Sequence, residues 1–179
     1  YSYTTNVGVG ALVGRDVITV TATDTQPLSG ANSANLTFTP ATLTWDGLGL
    51  NNTWGNGTNW VVNNPPCYSG DSVIFDGSTQ TTADMNNNYA VAALTFDGTA
   101  TGFTITNPPG TALTLNGGLT NSSSYPQTLT MPIVWSAPQT IYDANSAGVT
   151  LAGAISGSGA LAVGNGAVTL AGANSYAGD

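Results

Sequence analysis

The side chains that perform most enzyme chemistry are nearly absent from this sequence. Its 179 residues include nine acidic side chains, one Lys or Arg, and no His. All of the acids are Asp, and the single cation is Arg15. A Ser-His-Asp triad, a Cys-His dyad, a P-loop Lys and a His-ligated metal each need residues that the chain lacks. The groups that remain for chemistry are carboxylates, one thiol and aromatic rings.

Four of the carboxylates stand in turn-rich sequence, at Asp46, Asp71, Asp76 and Asp97. Carboxylate oxygens suit Ca²⁺, but three of the four Asp residues precede Gly, which is ordinary turn chemistry. A pair such as Asp71 and Asp76 could hydrolyse a glycosidic bond. No Lys, Arg or His stands near them in the sequence. We therefore predict that the chain is not an enzyme and has no catalytic residue, metal ligand or cofactor.

Aromatic side chains are concentrated between residues 45 and 68. Trp45, Trp54 and Trp60, together with Tyr68, could form a platform for sugar rings, because aromatic side chains combine a large apolar face with a polar tip. The alternative is that they pack a loop block or cover the end of a core. The lone Cys67 lies in the same block, and we expect it to be a small buried or semi-buried thiol rather than one end of an intermolecular disulfide.

The charge of the chain is unusually low in density and one-sided in sign. Only 6% of the residues are charged, compared with about 25% in a typical soluble domain, and the formal net charge is −8. Nucleic-acid binding is excluded, because it needs Lys and Arg to displace phosphate counterions. Membrane insertion by a helix is also excluded, since no run of about 20 apolar residues exists. A surface with so few charges tolerates self-association or uses it.

The elements that must position these groups are predicted to be β-strands. Short alternating runs such as 17–23, 91–96, 128–134 and 161–170 are separated by Asn-Gly, Asp-Gly and Pro-containing turns. Apolar anchors recur about every ten residues. This spacing fits a β-solenoid, in which each strand stacks on its counterpart in the next coil, and also an antiparallel β-sandwich. The Asn165-Gly166 turn fits a hairpin or a solenoid corner equally well.

Composition divides the chain into three segments. Residues 1–44 form a strand-rich N-terminal segment and a candidate inter-subunit strand. Residues 45–72 form a loop or cap block rich in Trp, Asn, Gly and Pro. Residues 73–179 carry the regular short strands that we interpret as solenoid repeats.

Two parts of the sequence carry a family resemblance. The C-terminal block has a Gly-x-Gly-x-Leu start (157–161), a Leu-x-Gly-Ala-Asn centre (170–174) and a Tyr-x-Gly end (176–178). The Trp-rich block 44–76 looks like the segment that often precedes such repeats. Over roughly residues 44–178 the chain resembles the autotransporter-associated β-strand repeat of secreted bacterial surface proteins. That resemblance implies a right-handed parallel β-helix at the cell surface, with no enzymatic residues.

The ends of such a fold are the basis of the functional hypothesis. A solenoid end presents unpaired backbone groups, which natural proteins protect with charge, Pro, bulges or caps. This chain has few charges for that purpose. We expect one subunit to add a strand to the next, giving an extracellular head-to-tail homopolymer. An adhesin or glycan-binding module that contacts extracellular polysaccharide is the alternative. The candidate inter-subunit strand residues are Val17, Ile18, Val20, Leu161, Val163, Val168 and Leu170.

Overall fold

The described part of the chain is an all-β solenoid. The computed structural model describes residues 39–178. Its strands form three parallel sheets, here named A, B and C. Sheet A contains β1 (Thr42–Trp45), β2 (Ser72–Phe75), β5 (Ala93–Phe96), β8 (Leu119–Asn121), β11 (Gln139–Asp143) and β14 (Leu161–Asn165). Sheet B contains β3 (Thr82–Asp84), β6 (Thr104–Thr106), β9 (Gln127–Leu129), β12 (Val149–Leu151) and β15 (Val168–Leu170). Sheet C contains β4 (Tyr89–Val91), β7 (Leu113–Leu115), β10 (Ile133–Trp135) and β13 (Ile155–Gly157).

From β2 onward the chain visits sheets A, B and C in turn and then repeats. The fold is a right-handed parallel β-helix of about 4 turns. Paired residues of neighbouring strands lie from 19 residues apart (Val149 and Val168) to 30 residues apart (Leu43 and Val73). All pairings between named strands are parallel. The solenoid prediction is therefore confirmed, and the antiparallel sandwich alternative is wrong.

Alternation along each strand decides which side chains enter the core. In sheet A, Leu43, Val73, Leu94, Leu119 and Ile141 stack in one inward-facing column, and each is at most 2% exposed. Neighbouring positions point outward because successive side chains of a strand alternate between faces. On sheet B the outward column is uniform, and its β-branched residues favour the strand conformation. Its members are Thr82, Thr104, Thr128, Thr150 and Thr169.

The Asn165-Gly166 turn is a solenoid corner and not a hairpin. β14 pairs with β11, while β15 pairs with β12 on a different sheet. Gly166 has a φ of +75°, a value that favours Gly at the corner. A parallel neighbour was already available for each strand in the preceding coil, so the two strands do not pair with each other.

The solenoid starts earlier than the repeat-bearing segment suggested. β1 is the first strand in the described range, and the Trp-rich residues 46–71 form an insertion between β1 and β2 that contains one 3₁₀ helix, Gly57–Asn59. Residues 1–38 and Asp179 lie outside the described part of the chain. The candidate inter-subunit residues Val17, Ile18 and Val20 are among them.

Candidate functional site: the two ends of the solenoid

Three tryptophans fill the N-terminal end of the described solenoid: Trp45 at the end of β1, and Trp54 and Trp60 from the inserted block. Trp45, Trp54 and Trp60 are 0%, 0% and 1% exposed. Trp60 packs edge-on against Trp45 and Trp54, with ring centroids 5.4 and 5.8 Å apart, and its indole N–H donates to the Trp54 carbonyl at 2.8 Å. Trp54 also packs against Phe75 of β2, at a centroid distance of 5.6 Å. The three rings therefore form the plug that ends the hydrophobic core.

This burial corrects the hypothesis of an aromatic sugar platform. A sugar ring needs an accessible aromatic face, and Trp45, Trp54 and Trp60 offer none in the folded chain. Tyr68 differs, because 37% of it is exposed. Cys67 is exposed as well, so the expectation of a buried or semi-buried thiol is wrong. The four aromatic residues therefore do not share one surface. The physical reason is that the large apolar area of each indole is more favourably removed from water than left on a rim.

The same block also covers the outer edge of β1. The Val61 N–H donates to the Thr44 carbonyl at 2.9 Å, and the Asp46 N–H donates to the Asn59 carbonyl at 2.9 Å. Around these bonds, Trp45 and Trp60 form an antiparallel bridge. The insertion thus pairs the Thr44 carbonyl and the Asp46 N–H on the side of β1 that faces away from β2. It caps the C-terminal part of this edge of sheet A.

A carboxylate holds the return of the cap to the solenoid. Asp71 is only 3% exposed and precedes β2. It accepts backbone N–H groups from Ala41 at 3.0 Å, from Cys67 at 3.1 Å and from Tyr68 at 3.0 Å. The carboxylate therefore ties the start of β1 to the end of the insertion. Both oxygens of Asp71 are therefore engaged in structural hydrogen bonds, which disfavours the role in glycoside hydrolysis that we considered for Asp71 from the sequence.

Three other carboxylates form a row along one corner. Asp46, Asp76 and Asp97 each directly follow the last residue of a paired strand, namely β1, β2 and β5. Burial raises the pKa of Asp76 above its ordinary value of 3.8, and the charges of Asp97 and Asp46 raise it further. Within residues 39–178 no group of three or more His, Cys, Asp or Glu side chains is arranged to hold a metal ion. The row is a set of turn residues whose charges repel one another.

A buried polar cluster interrupts the core in the middle coils. Asn121 and Asp143 continue the column that begins with Trp45, Phe75 and Phe96, and both are 0% exposed. The Asp143 carboxylate accepts the Asn121 amide at 3.2 Å and several backbone N–H groups. The closest of these is that of Gly148, at 2.8 Å. The Asn121 side-chain oxygen accepts the Ser123 N–H and hydroxyl at 3.1 and 2.8 Å. The polar groups of this network are hydrogen-bonded to one another and to the backbone, so the network stabilises a corner and needs no ligand to complete its hydrogen bonds.

The C-terminal end is built differently, because its inward-facing side chains are open to solvent. In the register of β14 on β11, Val163 stacks on the buried Ile141, yet Val163 is 51% exposed. Leu161, Val168 and Leu170 are only partly buried, although they occupy core columns. β14 and β15 are the outermost strands of sheets A and B in the described range. The end of the core is therefore exposed here, together with one side of each of these strands.

The third sheet has a short cover at this end. The Ser175 and Ala177 N–H groups donate to the carbonyls of Ile155 and Gly157 at 2.8 and 3.0 Å. Tyr176 packs against Trp135 at a centroid distance of 5.5 Å. The structure thus brings together Leu161, Val163, Val168 and Leu170 at one end and the three Trp residues at the other.

Sequence reasoning did not identify the buried Asn121, Ser123, Gln127 and Asp143. Their signal was present, because Asn121 and Asp143 stand at the strand positions that Phe75 and Phe96 fill in earlier coils. It could be read only after the coil register was known, since coil length varies along the chain.

Comparisons with known proteins found no matching family model, no matching curated protein and no matching solved structure. The resemblance to the autotransporter-associated repeat thus rests on the residues that carry it. Among residues 39–178 no helix is long and apolar enough to cross a membrane.

Proposed function

We propose that this protein is a bacterial extracellular structural protein that assembles head to tail into a filament or surface layer. The observation that carries the proposal is the difference between the two ends. Within residues 39–178, the N-terminal end of the solenoid buries its aromatic plug completely, whereas the C-terminal end leaves Val163 51% exposed in a core column. A further layer of strands placed there would bury these side chains and pair the free sides of β14 and β15.

The low charge of the chain supports self-association at this end. Apolar burial contributes about 25 cal/mol per Å², and little desolvation of charge opposes it where no charged residue is present. Residues 161–178 include no Asp, Glu, Lys or Arg. Opposite ends that join head to tail make a contact that does not close on itself, so the product is a filament. The proposed partners are therefore further copies of this chain.

The extracellular bacterial location is part of the same proposal. It is supported by the resemblance to secreted surface repeats and by a composition with a single Arg and no Lys, which offers trypsin-like proteases almost no cleavage site. The adhesin alternative has less support, because three of the four residues of its proposed aromatic platform are buried.

The experiment compares the assembly of the unaltered chain with that of two Lys variants. The two variants place the same side chain on opposite faces of β14. Val163→Lys places a charge in the core column, and Ala162→Lys places the same charge on the outward face of β14. Sedimentation velocity and negative-stain microscopy over a range of concentrations should show linear oligomers for the unaltered protein and for Ala162→Lys. Val163→Lys should shift assembly to at least tenfold higher concentration, because the Lys would have to be buried in the contact.

Two results would contradict the proposal. One is a dispersed particle of 18.0 kDa for the unaltered chain at every concentration. The other is growth that stops at a dimer, since a closed contact between two C-terminal ends cannot form a filament.

A further inference from the structure

The exposed aliphatic side chains of the described chain are confined to its two ends. Among the Leu, Ile and Val residues of 39–178, those of the middle coils are all at least partly buried. Four exposed ones lie in the insertion at the N-terminal end, namely Leu48, Leu50, Val61 and Val62. The remaining exposed one is Val163 of β14, at the C-terminal end. Apolar side chains left in water at two separate places indicate a contact that covers both.

Hydrogen bonds of one buried side chain hold the insertion together. Asn59 is 0% exposed; its side-chain oxygen accepts the Gly49 N–H at 2.8 Å, and its amide donates to the Asn51 carbonyl at 2.7 Å. The loop that carries the two exposed Leu residues is thereby held against the segment that carries the two exposed Val residues. That segment lies beyond the outermost described strand of sheet A, since the Val61 N–H donates to the Thr44 carbonyl on the side of β1 that faces away from β2.

Both ends lack charged residues where these side chains stand. Residues 47–70 contain no Asp, Glu, Lys or Arg, and neither do residues 161–178. Carboxylates on both surfaces would repel each other in a contact, because the chain has a single cation to offset them. Their absence from both segments removes that repulsion and the cost of desolvating a charge.

We propose that the insertion of one copy is the surface that receives the C-terminal end of the next copy. The four exposed aliphatic side chains of the insertion cover Val163 and the open end of the core around it. This inference rests on the proposed head-to-tail assembly and names the second of its two surfaces. A contact between unlike ends buries both apolar sets with one interface, whereas a contact between two like ends is closed and buries only one set.

Variants that each alter one end test the contact. The insertion variant carries Leu50→Lys and Val62→Lys, at residues that are 105% and 64% exposed, so the fold of the copy itself should hold. The C-terminal variant is Val163→Lys. Each variant alone should need about tenfold or more higher concentration to assemble than the unaltered chain, because the contact would bury Lys. Tyr125→Lys is the matched control. It alters a side chain that is 49% exposed in a middle coil and should assemble as the unaltered chain does.

Mixing the two variants distinguishes contacts between unlike ends from contacts between like ends. The insertion variant retains an unaltered C-terminal end, and the C-terminal variant retains an unaltered insertion. A one-to-one mixture should therefore form a heterodimer that grows no further, detected by sedimentation velocity as a species absent from either variant alone. Contacts between like ends would instead give homodimers of each variant alone and no new species on mixing, and that result would overturn the inference.

The outcomes separate this inference from the proposed function. If the insertion variant forms filaments at the same concentration as the unaltered chain, another surface receives the C-terminal end, and the inference is wrong while head-to-tail assembly stands. An unaltered chain that remains monomeric overturns both. A second insertion variant, with Leu48→Lys and Val61→Lys, should be equally defective, and its normal assembly would also contradict the inference.

Discussion

The buried carboxylate of Asp143 should be the most sensitive polar position inside the solenoid. Asp143 is 0% exposed and has no cation beside it among the described residues. Its two oxygens accept backbone N–H groups from Gly148 at 2.8 Å, from Ala147 at 3.3 Å and from Ala167 at 3.4 Å. The carboxylate therefore connects the corner after β11 to the corner before β15. Asp143→Ala removes it and leaves these donors without that partner.

The size of the effect follows from these distances. A hydrogen bond to a charged group contributes about 1.5–3 kcal/mol, and the bond from Gly148 has the length of a strong one. The two longer bonds contribute less, about 0.5 kcal/mol each by comparison with neutral ones. Asn121 loses little, because its amide also donates to the Tyr125 carbonyl at 3.1 Å. We expect Asp143→Ala to lower the free energy of unfolding by about 2–4 kcal/mol.

Urea unfolding followed by tryptophan fluorescence measures the loss, and amide hydrogen exchange locates it. Each coil of a solenoid contacts only its neighbours, so the N–H groups of Gly148 and Ala167 should exchange faster while that of Phe75 changes little. Asp84→Ala is the matched control. It removes the same charge from the outward face of sheet B and should change stability by about 0.5 kcal/mol or less.

Two results would refute this reasoning. A loss below about 1 kcal/mol for Asp143→Ala would mean that water replaces the carboxylate at no cost, contrary to the desolvation argument. Equal losses for Asp143→Ala and Asp84→Ala would mean that net charge, and not the local hydrogen bonds, sets the effect.

Three further predictions concern the acidic row, the plug and one glycine. Asp76→Asn should raise the free energy of unfolding at neutral pH by about 0.5 kcal/mol or less, because surface charges are screened. Burial and neighbouring carboxylates raise the folded-state pKa and penalise only the ionised form, so urea midpoints should show this gain decline as the pH falls through that pKa and vanish below 3.8. An advantage that grows in acid would contradict this. Trp54→Ala should cost about 3–5 kcal/mol in thermal or urea unfolding, whereas a change below about 1 kcal/mol would show that the ring does not plug the core. Gly157→Ala should lower the free energy of unfolding by more than about 1 kcal/mol, because φ is +118° and a Cβ would overlap the Trp135 carbonyl. Gly77→Ala is the control and should lower it less, since Gly77 has φ +64° but open space around it. Equal urea midpoints for the two variants would show that the overlap at Gly157 has no effect.

Part of the candidate site could be predicted from residue spacing. Alternation and regular turns predicted the strands. The sequence also predicted that Leu161, Val163, Val168 and Leu170 belong to inter-subunit strands, and that stays a prediction. The sequence did not distinguish whether the tryptophans pack the end of the core or form an exposed platform for sugars, because both roles use the same aromatic residues. Only the position of Trp60 across Trp45 shows that the rings face inward.

By itself, the sequence determined the chemical limits of this protein and its β-strand character. The absence of His, Lys and Glu excludes whole classes of site, and alternation with a period of two leaves little choice of element. The tertiary structure alone decided the parallel pairing, the capped edge of β1 and the buried Asp143. Each of these depends on which residues, 19 to 30 positions apart, become neighbours in successive coils. The lengths of the corners set that register, and because these lengths vary, a local sequence pattern does not reveal which residues become neighbours.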